Sequence, residues 1–129
     1  MARILVIDDD PDTRAMLEQI LKAAGHEVFL AVDGREGVMR HRTCPADLVI
    51  TDLYMPNQDG AETIRELRSC FPTVAIIAMS GGTDSGTDSG AMLSIAQNLA
   101  AVGILHKPFL TDELIVAVAK ALGRHSPAQ

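Results

Sequence analysis

The stretch from Arg3 to Gly25, RILVIDDDPDTRAMLEQILKAAG, decides the architecture. An apolar run, Ile4 to Ile7, stops at three successive acids, Asp8, Asp9 and Asp10. Apolar Met16, Leu17, Ile20, Leu21 and Ala24 then recur at helical spacing. Asp10 suits the N-cap, Pro11 the first helical position and Gly25 the end of the helix. Arg14, Glu18 and Lys22 fall four apart on the opposite face, as a charged row turned to solvent. The stretch is therefore one strand feeding one helix through an acidic turn.

The same unit repeats along the chain. Strands are predicted at about 27–32, 47–51, 74–79 and 103–106, and helices at about 34–43, 60–70, 89–101 and 111–122, with Gly123 stopping the last. Five strand–helix units in series imply an α/β fold, a parallel sheet with helices on both faces. Such folds bind ligands beyond the carboxyl ends of their strands, where the strand order switches. The run Leu48 to Thr51 ends in Asp52, Val74 to Met79 in Ser80, and Gly103 to His106 in Lys107 and Pro108. Carboxylates crowded at strand ends repel one another, and hard oxygen ligands of this kind gather around magnesium or calcium. Two carboxylate positions, a hydroxyl and an ammonium on one sheet edge point to a site for a divalent cation and a phosphoryl group.

Composition narrows the classes. At 129 residues and 47% apolar, the chain has the material for one domain with a real core. A net charge of −6 without a Lys/Arg stripe argues against nucleic acid. Arg35, Arg40 and Arg42 read as one solvated helix face. No apolar run approaches the ~20 residues of a membrane span, and the chain enters its first strand without a signal peptide. Cys44 and Cys70 lack metal or disulfide spacing, which points to reduced thiols and a cytoplasmic setting. His26, His41, His106 and His125 are scattered, which argues against a zinc site.

Four blocks carry a family resemblance: Ile7-Asp8-Asp9-Asp10, the segment Asp52 to Gly60, Ala78-Met79-Ser80-Gly81, and Lys107-Pro108-Phe109. In this order, on this strand pattern, they resemble the receiver domain of two-component response regulators, from Arg3 to about Gly123. The resemblance implies a flavodoxin-like, doubly wound (βα)5 fold with strand order 2-1-3-4-5. It implies a receiver over residues 1–124, with 125–129 a polar tail, as a stand-alone switch of the chemotaxis-regulator type without an output domain. Asp52 would accept a phosphoryl group from a histidine kinase or a histidine phosphotransfer protein. Mg²⁺ would be held by Asp9, Asp52 and the backbone carbonyl of Tyr54, with Asp8 acting through bound water. Lys107 would contact the phosphoryl group, Ser80 would hydrogen-bond it, and the Lys107–Pro108 bond would be cis. Asp10 matches no metal position and stays the helix cap.

The chain also departs from the pattern. Ile104 stands where most receivers carry Tyr or Phe, so an aromatic switch cannot operate there in its usual form. Gly81 to Gly90, GGTDSGTDSG, is a glycine-rich extension after Ser80. It reads either as a loose loop or as a cover over the site. From Ser89 to His106 there is no charged residue, and the last helix places Val116 and Ala117 on the face that carries Glu113 and Lys120. That pattern fits either tight packing or a partner or self-association surface on the last two helices and last strand. Two other functions stay open: a Mg²⁺-dependent phosphatase using an aspartyl phosphate, and a binding module indifferent to phosphate. Asp12 occupies a position where such phosphatases want Thr or Val, which counts against the first.

Overall fold

A computed structural model of the chain describes residues 2–53, 60–71, 73–80 and 103–124. Five strands are described: β1 (Arg3–Ile7), β2 (Glu27–Ala31), β3 (Leu48–Asp52), β4 (Ala75–Ser80) and β5 (Gly103–His106). Among the described residues four helices connect or follow them: α1 (Pro11–Ala23), α2 (Gly34–Thr43), α3 (Gly60–Cys70) and α4 (Thr111–Arg124). The expected helix at 89–101, the Gly81 to Gly90 segment, Tyr54 and the tail at 125–129 lie outside the described residues.

All strand pairs are parallel, in the order β2-β1-β3-β4-β5. The chain leaves β1 for the β2 edge and returns on the other side as β3. The order therefore switches between β1 and β3, and the crevice at that switch opens at their carboxyl ends. Asp8 directly follows β1 and Asp52 ends β3, so the topology alone puts both acids at its rim.

Strand alternation builds two cores. Ile4 and Val6 of β1 point to one face with Leu48, Ile50, Ile77 and Met79, where Leu17 and Leu21 of α1 and Leu114 and Val118 of α4 cover them. Leu5 and Ile7 point to the other face with Val49 and Ile76, under Val38 of α2 and Ile64 and Leu67 of α3. Strands buried on both faces need continuous apolar runs, which is why β1 and β4 carry them. Each such side chain contributes about 1.5–3 kcal/mol when fully buried. Helix α2 lies so close to β1 that a Cβ at Gly37 would come within 2.7 Å of Ile7 Cγ1.

The ends of α1 match the residues that signal them. Asp10 caps it by accepting from the Asp12 N–H, with Pro11 at the first position. At the other end the His26 N–H donates to Leu21 O at 3.1 Å and the Gly25 N–H to Lys22 O at 3.0 Å. Gly25 makes that closure at φ 95°, a left-handed conformation that costs glycine little.

Three details of the helices differ from the sequence reading. Met16 is 42% exposed and Ala24 is exposed, so Leu17 and Leu21, with Ile20 partly buried, carry the apolar face of α1. Glu18 and Lys22 pair at 2.9 Å, but Arg14 leaves the charged row and turns back to the Asp8 carbonyl. Helix α4 continues through Gly123 to Arg124, so the glycine does not stop it.

Candidate phosphoryl and cation site

Three strand ends assemble the site. Carboxylate oxygens of Asp8, Asp9 and Asp52 lie within 4.8 Å of one another. Asp8 is fully buried, Asp52 is 5% exposed, and Asp9 is exposed. Lys107 follows β5 and reaches across the sheet edge. Its Nζ donates to Asp8 Oδ2 at 2.9 Å and to Asp52 Oδ2 at 3.2 Å. The Lys107–Pro108 peptide is cis.

Asp8 is fixed on every side that the structure describes. Its N–H donates to Ala31 O at 3.1 Å, the Asp10 N–H donates to its Oδ1 at 2.9 Å, and Arg14 Nη1 donates to its backbone oxygen at 2.7 Å. Asp10 is not among the clustered carboxylates. Its carboxylate accepts from the Thr13 hydroxyl at 2.7 Å and from the Asp12 N–H at 3.2 Å. The Thr13 bond, then the Asp12 bond, hold that carboxyl below the usual carboxylate range. This agrees with Asp10 as the helix cap.

The charges do not balance. Counted at formal charge, the three carboxylates of the cluster against the Lys107 ammonium leave −2. Two unit charges at this spacing repel by roughly 3 kcal/mol at an effective dielectric constant near 20. Burial pulls the Lys107 ammonium down, but the Asp8 hydrogen bond and the charges of Asp52 and Asp8 outweigh it, so its pKa is raised. Its two ion pairs are therefore fully present below its ordinary value of 10.5 and are lost only as pH climbs through the raised folded value. Near neutral pH the ammonium is a fixed charge and not a proton donor that titrates. The donor set, three hard carboxylate oxygens with a residual negative charge and one exposed member, fits a divalent cation such as Mg²⁺.

The response regulator receiver domain family matches residues 4–119. The chain belongs to that family. This receiver is 36% identical over 125 residues to the response regulator MprA of Mycolicibacterium vanbaalenii, covering 97% of this chain and 52% of that protein. It thus spans about half the length of that relative. Among solved structures, a response regulator receiver domain protein of Clostridium thermocellum superposes with a TM-score of 0.85 at 30% identity, over 100% of both chains. The chemotaxis protein CheY4 of Vibrio cholerae does so with a TM-score of 0.81 at 28% identity, over 94% of this chain and 98% of that one. The fold and the family place the chain in two-component signalling.

Of the residues expected in this receiver's site, the structure brings together Asp8, Asp9, Asp52 and Lys107. Ser80 ends β4 in register with His106, so its backbone stands at the same edge; its side chain and Tyr54 lie outside the described residues. Ile104 packs against the α2–α3 core in register with Ala78. Arg14 is the residue that sequence reading missed. A guanidinium bound to a backbone carbonyl leaves no partner residue type in the sequence to betray it.

His41, expected to be one of several scattered histidines, is buried at 3% exposure. Its Nδ1 accepts the Ala46 N–H at 3.0 Å and its ring meets Phe71 edge-on at 4.3 Å. Burial pushes its pKa below the ordinary 6.5. Gly34, Gly37, Val38 and His41 make one buried stripe of α2 at helical spacing, a signal that was readable. Among the described residues no helix is long and apolar enough to cross a membrane.

Proposed function

We propose that Asp52 is the phospho-acceptor of this receiver, taking a phosphoryl group from the phosphohistidine of a histidine kinase or a histidine phosphotransfer protein. The observation that carries this reading is the bridge from Lys107 Nζ to both Asp8 and Asp52, with Asp9 beside them. A carboxylate is a competent nucleophile toward an activated phosphoryl group. An Asp52 oxygen forms the new bond to phosphorus while the phosphorus–nitrogen bond of the donor breaks. The bonding pair returns to the donor imidazole, which takes a proton from solvent. Protein residues then serve mainly to position and neutralise charge. Lys107 offsets charge on the incoming oxygens, and the Ser80 hydroxyl donates to one of them.

Asp9, Asp52 and the Tyr54 carbonyl would hold Mg²⁺, with Asp8 acting through water. When bound, the cation supplies the positive charge that lets an anion approach a pocket near −2. The chain would act as a switch that turns over only its own phosphorylation and dephosphorylation, and not as an enzyme for outside substrates. The unit is proposed to span residues 1–124, with 125–129 as a tail; the family match over 4–119 and α4 reaching Arg124 support this. Free Cys44 and Cys70 suit a reducing compartment, so the cytoplasm is the proposed location. A groove between β5 and α4, lined by Gly103, Ile104, Val116 and Ala117, supports a downstream-partner or self-association surface there; Val116 is 57% exposed.

Transfer of radiolabelled phosphate from a phosphorylated histidine kinase tests the function. The wild type should take label only with Mg²⁺ present, and Asp52→Asn should take none. Label on Asp52→Asn would refute the acceptor assignment.

A further inference from the structure

Asp9 is the exposed member of the acidic cluster. Among the described residues no hydrogen bond or ion pair holds its carboxylate, so its position follows from its backbone. That backbone is pinned through its neighbour. The Asp8 carbonyl belongs to the Asp8–Asp9 peptide, and Arg14 Nη1 donates to it at 2.7 Å. Arg14 sits in the first turn of α1, behind a cap fixed by Asp10 and Thr13. The guanidinium thus ties the peptide that carries Asp9 to a rigid helix end. It does so from a partly buried position, without touching the cluster's carboxylates.

We propose that Arg14 is a positioning residue for the cation site: it fixes the Asp8–Asp9 peptide so that the Asp9 carboxylate stays within reach of a cation shared with Asp52. This rests on Asp9 and Asp52 being cation ligands. Positioning and charge predict opposite signs. As a bare positive charge near the site, Arg14 would weaken cation binding, and removing it would strengthen binding. As a positioning group, its removal weakens binding, in the way loss of groups that orient metal ligands costs about 10- to 100-fold in affinity.

The test is Arg14→Met in the full chain, with Mg²⁺ binding read by calorimetry and by the Mg²⁺ concentration that half-saturates labelling by acetyl phosphate. The dissociation constant and the half-saturating concentration are both expected to rise about tenfold, with the labelling rate at saturating Mg²⁺ within about twofold of wild type. In the metal-free protein the Asp9 and Asp10 amides should exchange faster than in wild type, while amides in the middle of α1 should not. Unchanged or tighter Mg²⁺ binding would overturn the proposal. Should Arg14→Met fail to fold, Arg14→Ala, which favours the helix but offers no donor to the Asp8 carbonyl, should shift affinity in the same direction; no shift overturns it equally. Asp9→Ala is measured in parallel. If it binds Mg²⁺ as wild type does, the cation reading itself fails. If it loses binding while Arg14→Met keeps it, only the role of Arg14 fails.

Discussion

The two edges of the sheet carry ion pairs of nearly the same length and very different consequence. At the amino edge Arg3 Nε meets Glu27 Oε1 at 3.2 Å, with side chains 45% and 59% exposed. At the carboxyl edge Lys107 Nζ meets Asp52 Oδ2 at the same 3.2 Å and Asp8 Oδ2 at 2.9 Å, with Asp8 fully buried. Distance does not separate them; burial and unbalanced charge do. An exposed pair is worth about 0–1 kcal/mol, because water already solvates each partner. A buried carboxylate stripped of its partner has nowhere to place its charge. The amino edge is a solvated surface, whereas the carboxyl edge stores electrostatic stress that a cation can relieve.

Lys107→Met should break the comparison most visibly. It leaves Asp8 and Asp52 buried without their ammonium, and urea unfolding at pH 7 in chelator should show a loss of about 3 kcal/mol. A loss no larger than that of an exposed pair would mean the carboxyl edge is not stressed. The next effect should come from the cation. At one hundred times its dissociation constant, Mg²⁺ should stabilise the wild type by about 2.7 kcal/mol in thermal melts. Asp9→Ala should abolish most of that gain, and Arg3→Gln should leave it untouched.

His41 sharpens the contrast from the apolar side, as a titratable group buried without a charge. Its folded pKa is lowered by desolvation. As pH falls through the unfolded value of 6.5, the unfolded chain takes a proton that the folded chain refuses, so stability falls. His26, also lowered by burial, adds to the slope. His41→Asn, whose side-chain oxygen can stand in for Nδ1 toward the Ala46 N–H, should flatten the decline measured by melting between neutral and mildly acidic pH. An unaltered slope would show that His41 does not drive it. The smallest effect belongs to the amino edge. Glu27→Gln should shift the urea midpoint least of these variants, and less still in high salt, with phosphorylation unchanged.

The strands and the acidic edge were legible because each rests on a pattern the chain must display, while the strand order came from the family resemblance. Apolar runs of strand length stop at Asp8, Asp52, Ser80 and Lys107, and parallel topology carries those stops to one rim. Helix faces were less legible. Met16 has the spacing of a core residue, but Leu17 and Leu21 make the buried contact with the sheet and Met16 is left 42% exposed. The charged row of α1 was misread at Arg14 because i,i+4 spacing offers a partner but cannot show that a nearer backbone oxygen competes for it. His41 was passed over because it was weighed as a possible ligand and not as a position on the Gly34–Val38 stripe.

Peptide mapping by mass spectrometry after incubation with acetyl phosphate tests the central claim most directly. With Mg²⁺ present, the wild type should carry one phosphoryl group, located on Asp52. It should carry none in chelator, and Asp52→Asn should carry none under either condition. A phosphoryl group on another residue, or equal labelling of Asp52 without any divalent cation, would contradict the account.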